Sequence, residues 1–402
     1  MKEKSLEYHK KGKIGTAITK KFEDAEDMSL AYTPGVAIPC LEIEKDESKA
    51  YDYTNKGNSV AIITNGTAVL GLGDIGVLGG KPVMEGKAML FKHFADIDAI
   101  DVLVDEKNPE KFIDVVKAIS KTYGGINLED IKAPECFEIE EKLKKSLDIP
   151  VFHDDQHGTA VVSSAGLLNA LEIVGKKIEE IKIIISGAGA AAIACAKLFV
   201  ELGVKKENLI MLDSKGVINC KKELNIYKKE FCNDSEIKSL GEAIKGADVF
   251  LGVSVKNILT PEMLNSMNEN PIVFAMANPE PEIDYNLAKQ TRDDVIIATG
   301  RSDYPNQINN VIAFPFIFRG ALDVRAKQIN EKMKMAAVKA LAKVAKDDSR
   351  FGKKYFIPEV FDKKIAVEVS SAVAKAAVDS GVAQKKVDLK DYRKELVDRF
   401  RE

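Results

Sequence analysis

The chain has 402 residues; at ~150 residues per domain this allows two or three domains, each able to bury a core without metal or disulfide staples. Its 59 basic and 62 acidic side chains leave a formal charge of −3, which argues against nucleic-acid binding driven by bulk charge. No run reaches the ~18 uncharged apolar residues of a membrane helix, and the opening Met1-Lys2-Glu3-Lys4 lacks the apolar core of a secretion signal. The five cysteines are odd in number and form no C-x-x-C pair, so structural zinc and a disulfide framework are not expected and a reducing cytoplasm is.

Residues 1–50 are mixed and charged, with a turn-bearing loop at Leu30-Ala31-Tyr32-Thr33-Pro34-Gly35-Val36. From 59 onward short β-branched runs at 59–64, 99–104, 126–130 and 150–154 alternate with helix-like stretches at about 84–95, 109–122 and 134–147. That alternation predicts parallel pairing in an α/β layer. A helix rich in Ala, Leu and Val over 157–174 bridges to a second series. Its strands are expected at 181–185, 209–212, 248–253, 271–276 and 295–298, and its helices near 190–202, 236–245, 261–267 and 284–290. This is the rhythm of a doubly wound nucleotide-binding domain. Helices over 321–346 and 363–379 close the chain. The expected fold is therefore two-domain α/β. An N-terminal α/β domain covers 1–158, and a Rossmann-type NAD(P)-binding domain covers 159–402. Its helical end, from about 321, is expected to pack back on the first domain.

Two stretches match G-x-G-x-x-[GA]. Gly187-Ala188-Gly189-Ala190-Ala191-Ala192 follows a buried-strand run, opens a helix of small residues, and precedes a strand ending in Asp213, 21 residues past the motif. Such glycines let backbone approach a pyrophosphate at a helix N-terminus, and the acid takes the ribose hydroxyls. Asp213 favours NAD, because a carboxylate repels a 2′-phosphate; Lys215 beside it leaves room for NADP. The other match, Gly71-Leu72-Gly73-Asp74-Ile75-Gly76, runs into Val77-Leu78-Gly79-Gly80-Lys81-Pro82, too rich in glycine and proline to begin a helix. It reads as a turn lining a cleft.

Glu129-Asp130 and Asp154-Asp155 each end a strand-like run. Ligands of open α/β sheets collect at carboxyl ends of strands, and clustered carboxylates need a cation to neutralise them. Oxygen donors select Mg²⁺ or Mn²⁺ over zinc. His153 and His157 flank the second pair and read as hydrogen-bonded structural imidazoles. Lys87 sits among apolar neighbours that would desolvate its ammonium and lower its pKa, as a general base requires, although most such lysines snorkel to solvent. Tyr32 is unremarkable by itself.

Taken in order, Leu30-Ala31-Tyr32-Thr33-Pro34-Gly35-Val36-Ala37, Gly71-Leu72-Gly73-Asp74-Ile75-Gly76, Glu85-Gly86-Lys87, Asn127-Leu128-Glu129-Asp130, His153-Asp154-Asp155-Gln156-His157-Gly158-Thr159-Ala160, Asn278-Pro279 and Asn309-Asn310-Val311 resemble a malic enzyme of the short bacterial type, from about residue 10 to about 385. The resemblance implies Lys87 as general base in contact with substrate and Tyr32 as general acid. It implies Glu129, Asp130 and Asp155 as metal ligands with Asp154 behind them. Residues 188–191 then hold the pyrophosphate, Asn278 lies at the cofactor, and Asn310 touches substrate. It further implies a homodimer that oxidatively decarboxylates (S)-malate to pyruvate and CO₂ with NAD(P)⁺ and Mg²⁺ or Mn²⁺. One departure stands out: large eukaryotic relatives carry a carboxylate-gripping arginine just before the GLGD loop, where this chain has Ala68. Two competing readings are a metal-independent amino-acid dehydrogenase of similar plan and a non-catalytic NAD-binding sensor.

Overall fold

The computed structural model describes residues 2–69 and 71–401 and places their strands in two sheets. In the first, β1 (Ser59–Thr64), β2 (Asp98–Leu103), β3 (Gly125–Leu128) and β4 (Val151–His153) pair in parallel in the order β2-β1-β3-β4. β1 reads SVAIIT and is buried at every position. Helices cover both faces of a parallel sheet, so such strands are apolar throughout rather than alternating.

The helices between these strands are Gly76–Ala95, Pro109–Ser120 and Glu135–Ser146. The first corrects the sequence reading: it begins at Gly76, not near 84, and contains Pro82. Burial of Met84, Lys87, Ala88 and Phe91 along one face secures its body, and that packing outweighs the poor propensity of its opening turns.

The second sheet holds β5 (Ile183–Ser186), β6 (Leu209–Asp213), β7 (Gly216–Val217), β8 (Val249–Gly252), β9 (Ile272–Ala275) and β10 (Ile296–Thr299), in the order β10-β9-β8-β5-β6-β7. All pairs are parallel except β6–β7. This is the doubly wound order with a short hairpin strand in the third place, and the strand order reverses between β5 and β8, where ligands bind in such sheets.

The helix expected over 321–346 is two helices, Phe314–Asp323 and Glu331–Lys346. Arg325 takes a left-handed backbone (φ 49°) between them, and the Asn330 side chain caps the second by accepting from the Met333 amide. The Phe314–Asp323 helix packs on the Gly76–Ala95 helix of the first sheet. The Phe91 ring meets those of Phe314 and Phe318 edge-on at 4.7 and 5.3 Å. Each such pair contributes about 0.5–1.5 kcal/mol beyond its buried area. Arg319 ties the same helix to Asn58, 2.6 Å away.

The cysteines also depart from expectation. A bridge between Asn219 and Asn233 sets Cys220 beside Cys232, and the two form a disulfide, while Cys40, Cys136 and Cys195 are free. Residue spacing alone could not reveal a pairing made by a tertiary contact. No helix of the described residues is long and apolar enough to cross a membrane.

Candidate active site

Register puts the four acids together. Leu128 of β3 lies beside His153 of β4, so Glu129-Asp130 and Asp154-Asp155 leave adjacent carboxyl ends. Asp154 and Asp155 also open the Asp154–Val174 helix, whose N-terminal dipole favours anions. Oxygen atoms of Glu129, Asp130 and Asp155 lie within 4.8 Å of one another. Neighbours fix their orientation. Asn127 Nδ2 donates to Glu129 Oε2 at 2.8 Å, and the Asp130 amide donates to Asp155 Oδ2 at 2.7 Å. His153 Nε2 stands 3.1 Å from the same Asp155 oxygen.

Lys87 reaches this group from the Gly76–Ala95 helix. Its Nζ lies 2.5 Å from Asp154 Oδ2 and 2.9 Å from Glu129 Oε1, with the Phe314 ring 4.2 Å below. Asn310 Nδ2 donates to Asp154 Oδ2 at 2.5 Å. The sequence reading of the lysine's charge is overturned here. Burial does pull its pKa down, but Asp154 and Glu129 outweigh burial and hold it above the ordinary lysine value. Glu129 is pushed well above the usual carboxylate range by burial and by Asp155, Asp154 and Asp130, with Lys87 opposing. A buried set of mutually repelling oxygen donors beside one lysine fits a hard divalent cation such as Mg²⁺ or Mn²⁺.

Gly158 shows how tightly the motif is built. A Cβ there would stand 2.0 Å from Asp154 Oδ1 and 2.8 Å from Asn310 Cβ, so only glycine lets the helix pass the aspartate. Behind the acids, Glu140 accepts from the His153 amide at 3.1 Å and contacts His157 Nε2 at 2.8 Å, while Gln156 Nε2 lies 2.8 Å from His153 Nδ1. Both histidines are thus hydrogen-bonded structural groups, as the sequence suggested. Asn127 and Glu140 were missed. Their signal was a polar residue inside the apolar run INL and an acid on the buried face of an amphipathic helix.

Gly187-Ala188-Gly189 lies at the carboxyl end of β5, and the Ala190–Leu202 helix starts there without a side-chain cap, leaving backbone donors for an anion. Gly187 has φ 126°, and a Cβ on it would meet Val253 O at 2.7 Å. Gly187, Ala188, Gly189 and Asp213 share a cavity of about 320 Å³ with Ser254 and Lys228; Ala190 and Ala191 form the first turn of the helix beside it. Asp213 does not stand alone: Lys228 Nζ is 2.8 Å from Oδ2, and the Lys215 amide donates to Oδ1 at 2.9 Å. Burial raises this carboxyl's pKa, but Lys228 and the Lys215 amide outweigh burial and hold it low.

Asn278 follows β9 and faces the Gly71 turn, where a Cβ on Gly71 would lie 3.0 Å from Asn278 O. The same turn touches the acids, since the Ala68 amide donates to Asp130 O at 2.9 Å. Ala68 and Gly71 therefore border the cleft between the two sheets, and Gly76 begins a helix. Tyr32 stands apart from the cluster, 68 % exposed on the surface.

Fold and site together define a two-domain dinucleotide-binding protein with a carboxylate-and-lysine centre at the edge of its first sheet. Residues 156–378 match the family description "Malic enzyme, NAD binding domain", and 11–111 and 106–144 match "Malic enzyme, N-terminal domain". The chain belongs to the malic enzyme family. It is 56 % identical to an NADP-dependent malic enzyme of Halomonas elongata over 95 % of this chain and 94 % of that protein. It is 55 % identical to the NADP-dependent malic enzyme of Salmonella typhimurium over 96 % of this chain, and there it spans only 54 % of the relative's length. A crystal structure of malic enzyme from Pyrococcus horikoshii superposes with TM-score 0.93 at 46 % identity, covering 99 % of this chain and 95 % of that one.

Proposed function

We propose that the chain oxidises (S)-malate with NAD(P)⁺ and decarboxylates the product to pyruvate and CO₂, with Mg²⁺ or Mn²⁺ bound by Glu129, Asp130 and Asp155. The observation that carries this is Lys87 buried between Glu129 and Asp154 beside three converging carboxylates. Residues 1–158 supply substrate and metal groups, and residues 159–402 supply the cofactor site and Asn310.

A divalent ion, when bound, supplies Lewis-acid polarisation of the substrate's C2 oxygen. With Glu129 engaged as a ligand, Asp154 would be left as the carboxylate that pairs Lys87, and the ammonium would deprotonate more readily. Neutral Lys87 takes the C2 hydroxyl proton as hydride leaves for the nicotinamide. Asn310, fixed by Asp154, orients the substrate. After CO₂ leaves, protonation of C3 of the enol falls to Tyr32 of a second copy, because this chain's own Tyr32 stands exposed and apart from its acids. Gly187, Ala188, Gly189, Ala190 and Ala191 hold the pyrophosphate, Asn278 flanks the nicotinamide half, and Asp213 meets the adenosine ribose. Lys228 cancels the Asp213 charge, and Lys215 and Lys222 share a cavity with both, which suits a 2′-phosphate. The names of the NADP-dependent relatives support that preference. Leu6, Ile18, Phe22, Leu30 and Ile38, all in the N-terminal segment that carries Tyr32, are exposed apolar side chains that a second copy would cover in a homodimer.

The test is absorbance of the reduced cofactor with malate, NAD⁺ or NADP⁺, and Mg²⁺, Mn²⁺ or EDTA. Malate-dependent, EDTA-sensitive reduction, faster with NADP⁺, is expected. Absence of malate oxidation with both cofactors would refute the reading. A rate untouched by EDTA would mark a metal-independent dehydrogenase, and binding without turnover a sensor.

A further inference from the structure

Beside Asp213 the cleft widens into a cavity of about 510 Å³, walled by Lys222, Glu223, Leu224, Asn225 and Lys228. Every one of these five residues falls inside the covalent loop closed by Cys220–Cys232. The loop holds a single helical turn, Ile226–Lys229. Its backbone tie to the sheet lies at its base, where the Asn233 amide donates to Ile218 O at 2.8 Å, immediately next to the disulfide. Farther out it is held by side chains: Lys228 on Asp213 at 2.8 Å, the Tyr227 ring 4.2 Å from Phe137 on the Glu135–Ser146 helix, Glu230 paired with Lys197 at 3.3 Å, and Phe231 buried in the core. Cys220 is exposed and Cys232 half-buried, so a thiol reaches the bond from solvent.

We infer that Cys220 and Cys232 are a redox site that tunes the grip on the adenosine half of the dinucleotide, the disulfide-closed chain binding NADPH more tightly than the dithiol chain. The inference rests on the reading of the Asp213 cavity as the adenosine ribose site. The co-reactant is a dithiol. Its thiolate attacks the exposed Cys220 sulfur, Cys232 leaves as thiolate and takes a proton, and the donor's second thiol then releases Cys220 in the same way. The donor departs as a disulfide, having given two electrons and two protons. Opening the ring removes the covalent clamp at the base of the loop that carries Lys222 and Lys228, and leaves its order to the side-chain contacts alone. The order it loses must then come out of the binding energy, since a closed loop is pre-organised and an open one is less so.

The experiment uses the whole chain. Thiol titration in denaturant should count three free cysteines after oxidant treatment and five after dithiothreitol. NADPH binding, followed by cofactor fluorescence, should weaken about tenfold on reduction, the scale expected for loss of loop pre-organisation. Cys220→Ser/Cys232→Ser should bind like the reduced chain and ignore dithiothreitol, while Cys40→Ser should respond like the parent. Five thiols after oxidant treatment, or equal NADPH affinity in the two redox states, would overturn the redox site. NADPH binding in neither state would instead overturn the reading of the cavity, and with it this inference.

Discussion

Lys87→Met tests the centre most directly. Methionine keeps the apolar stem against Phe314 and removes the charge, so packing stays close to constant. Two carboxylates lose their cation: Asp154, 2.5 Å from Nζ, and Glu129, 2.9 Å away. Stripping one partner from a buried ion pair costs about 3–5 kcal/mol, a large part of the ~5–15 kcal/mol that holds a typical native protein together. In urea the metal-free variant should therefore unfold earlier by about that much. Mn²⁺ at about a hundred times its dissociation constant should return about 2.7 kcal/mol, because it binds the folded chain and not the unfolded one. Turnover of malate should stay about 10²–10⁴-fold down even with saturating Mn²⁺, since the proton acceptor is gone. A variant as stable as the parent without metal would refute the electrostatic argument. Near-parental turnover would remove Lys87 from the chemistry.

Tyr32→Phe should retain reduction of oxaloacetate while losing pyruvate formation from malate; equal loss of both would place the tyrosine's role elsewhere. Asp155→Asn should raise the Mn²⁺ concentration needed for half-maximal rate by at least about 10–100-fold, the range seen even for groups that only orient a ligand. An unchanged metal titration would take it out of the ligand set. Burial pushes the Cys195 thiol up to about 12, so it stays neutral in the native chain while the unfolded chain ionises near its ordinary value of 9.0. Its contribution is complete below that ordinary value and is lost as pH rises through 9 toward 12, at about 1.4 kcal/mol per unit. Urea unfolding of parent and Cys195→Ala across pH 8–11 should show a steeper alkaline loss in the parent; parallel curves would contradict this.

The acids were legible because their placement is local. INLED and VFHDD announce buried strands that end in carboxylates, and two parallel neighbours in register bring such ends together without further information. The strand, glycine turn and helix over 183–202 were legible for the same reason, being contiguous in the chain. What stayed hidden depends on partners far away in sequence. Lys87 looked like a lysine with a lowered pKa because its surroundings from 83 to 91 are apolar, yet Asp154, which reverses the shift, lies 67 residues on. Asp213 reads by itself as an NAD-selecting acid, and the Lys228 that pairs with it lies 15 residues on. Cys220 and Cys232 meet only because Asn219 bridges Asn233. The early start at Gly76 has the same origin, burial against the sheet overriding weak local preference.

The Phe314–Asp323 helix belongs to the second half of the chain but finishes the packing of the first, through Phe91, Phe318 and Arg319, just after Asn310 reaches the acids. The polypeptide is in this sense stitched rather than strung. A fragment cut near residue 158 would leave the ring of Phe91 bare and the carboxylate cluster without its amide.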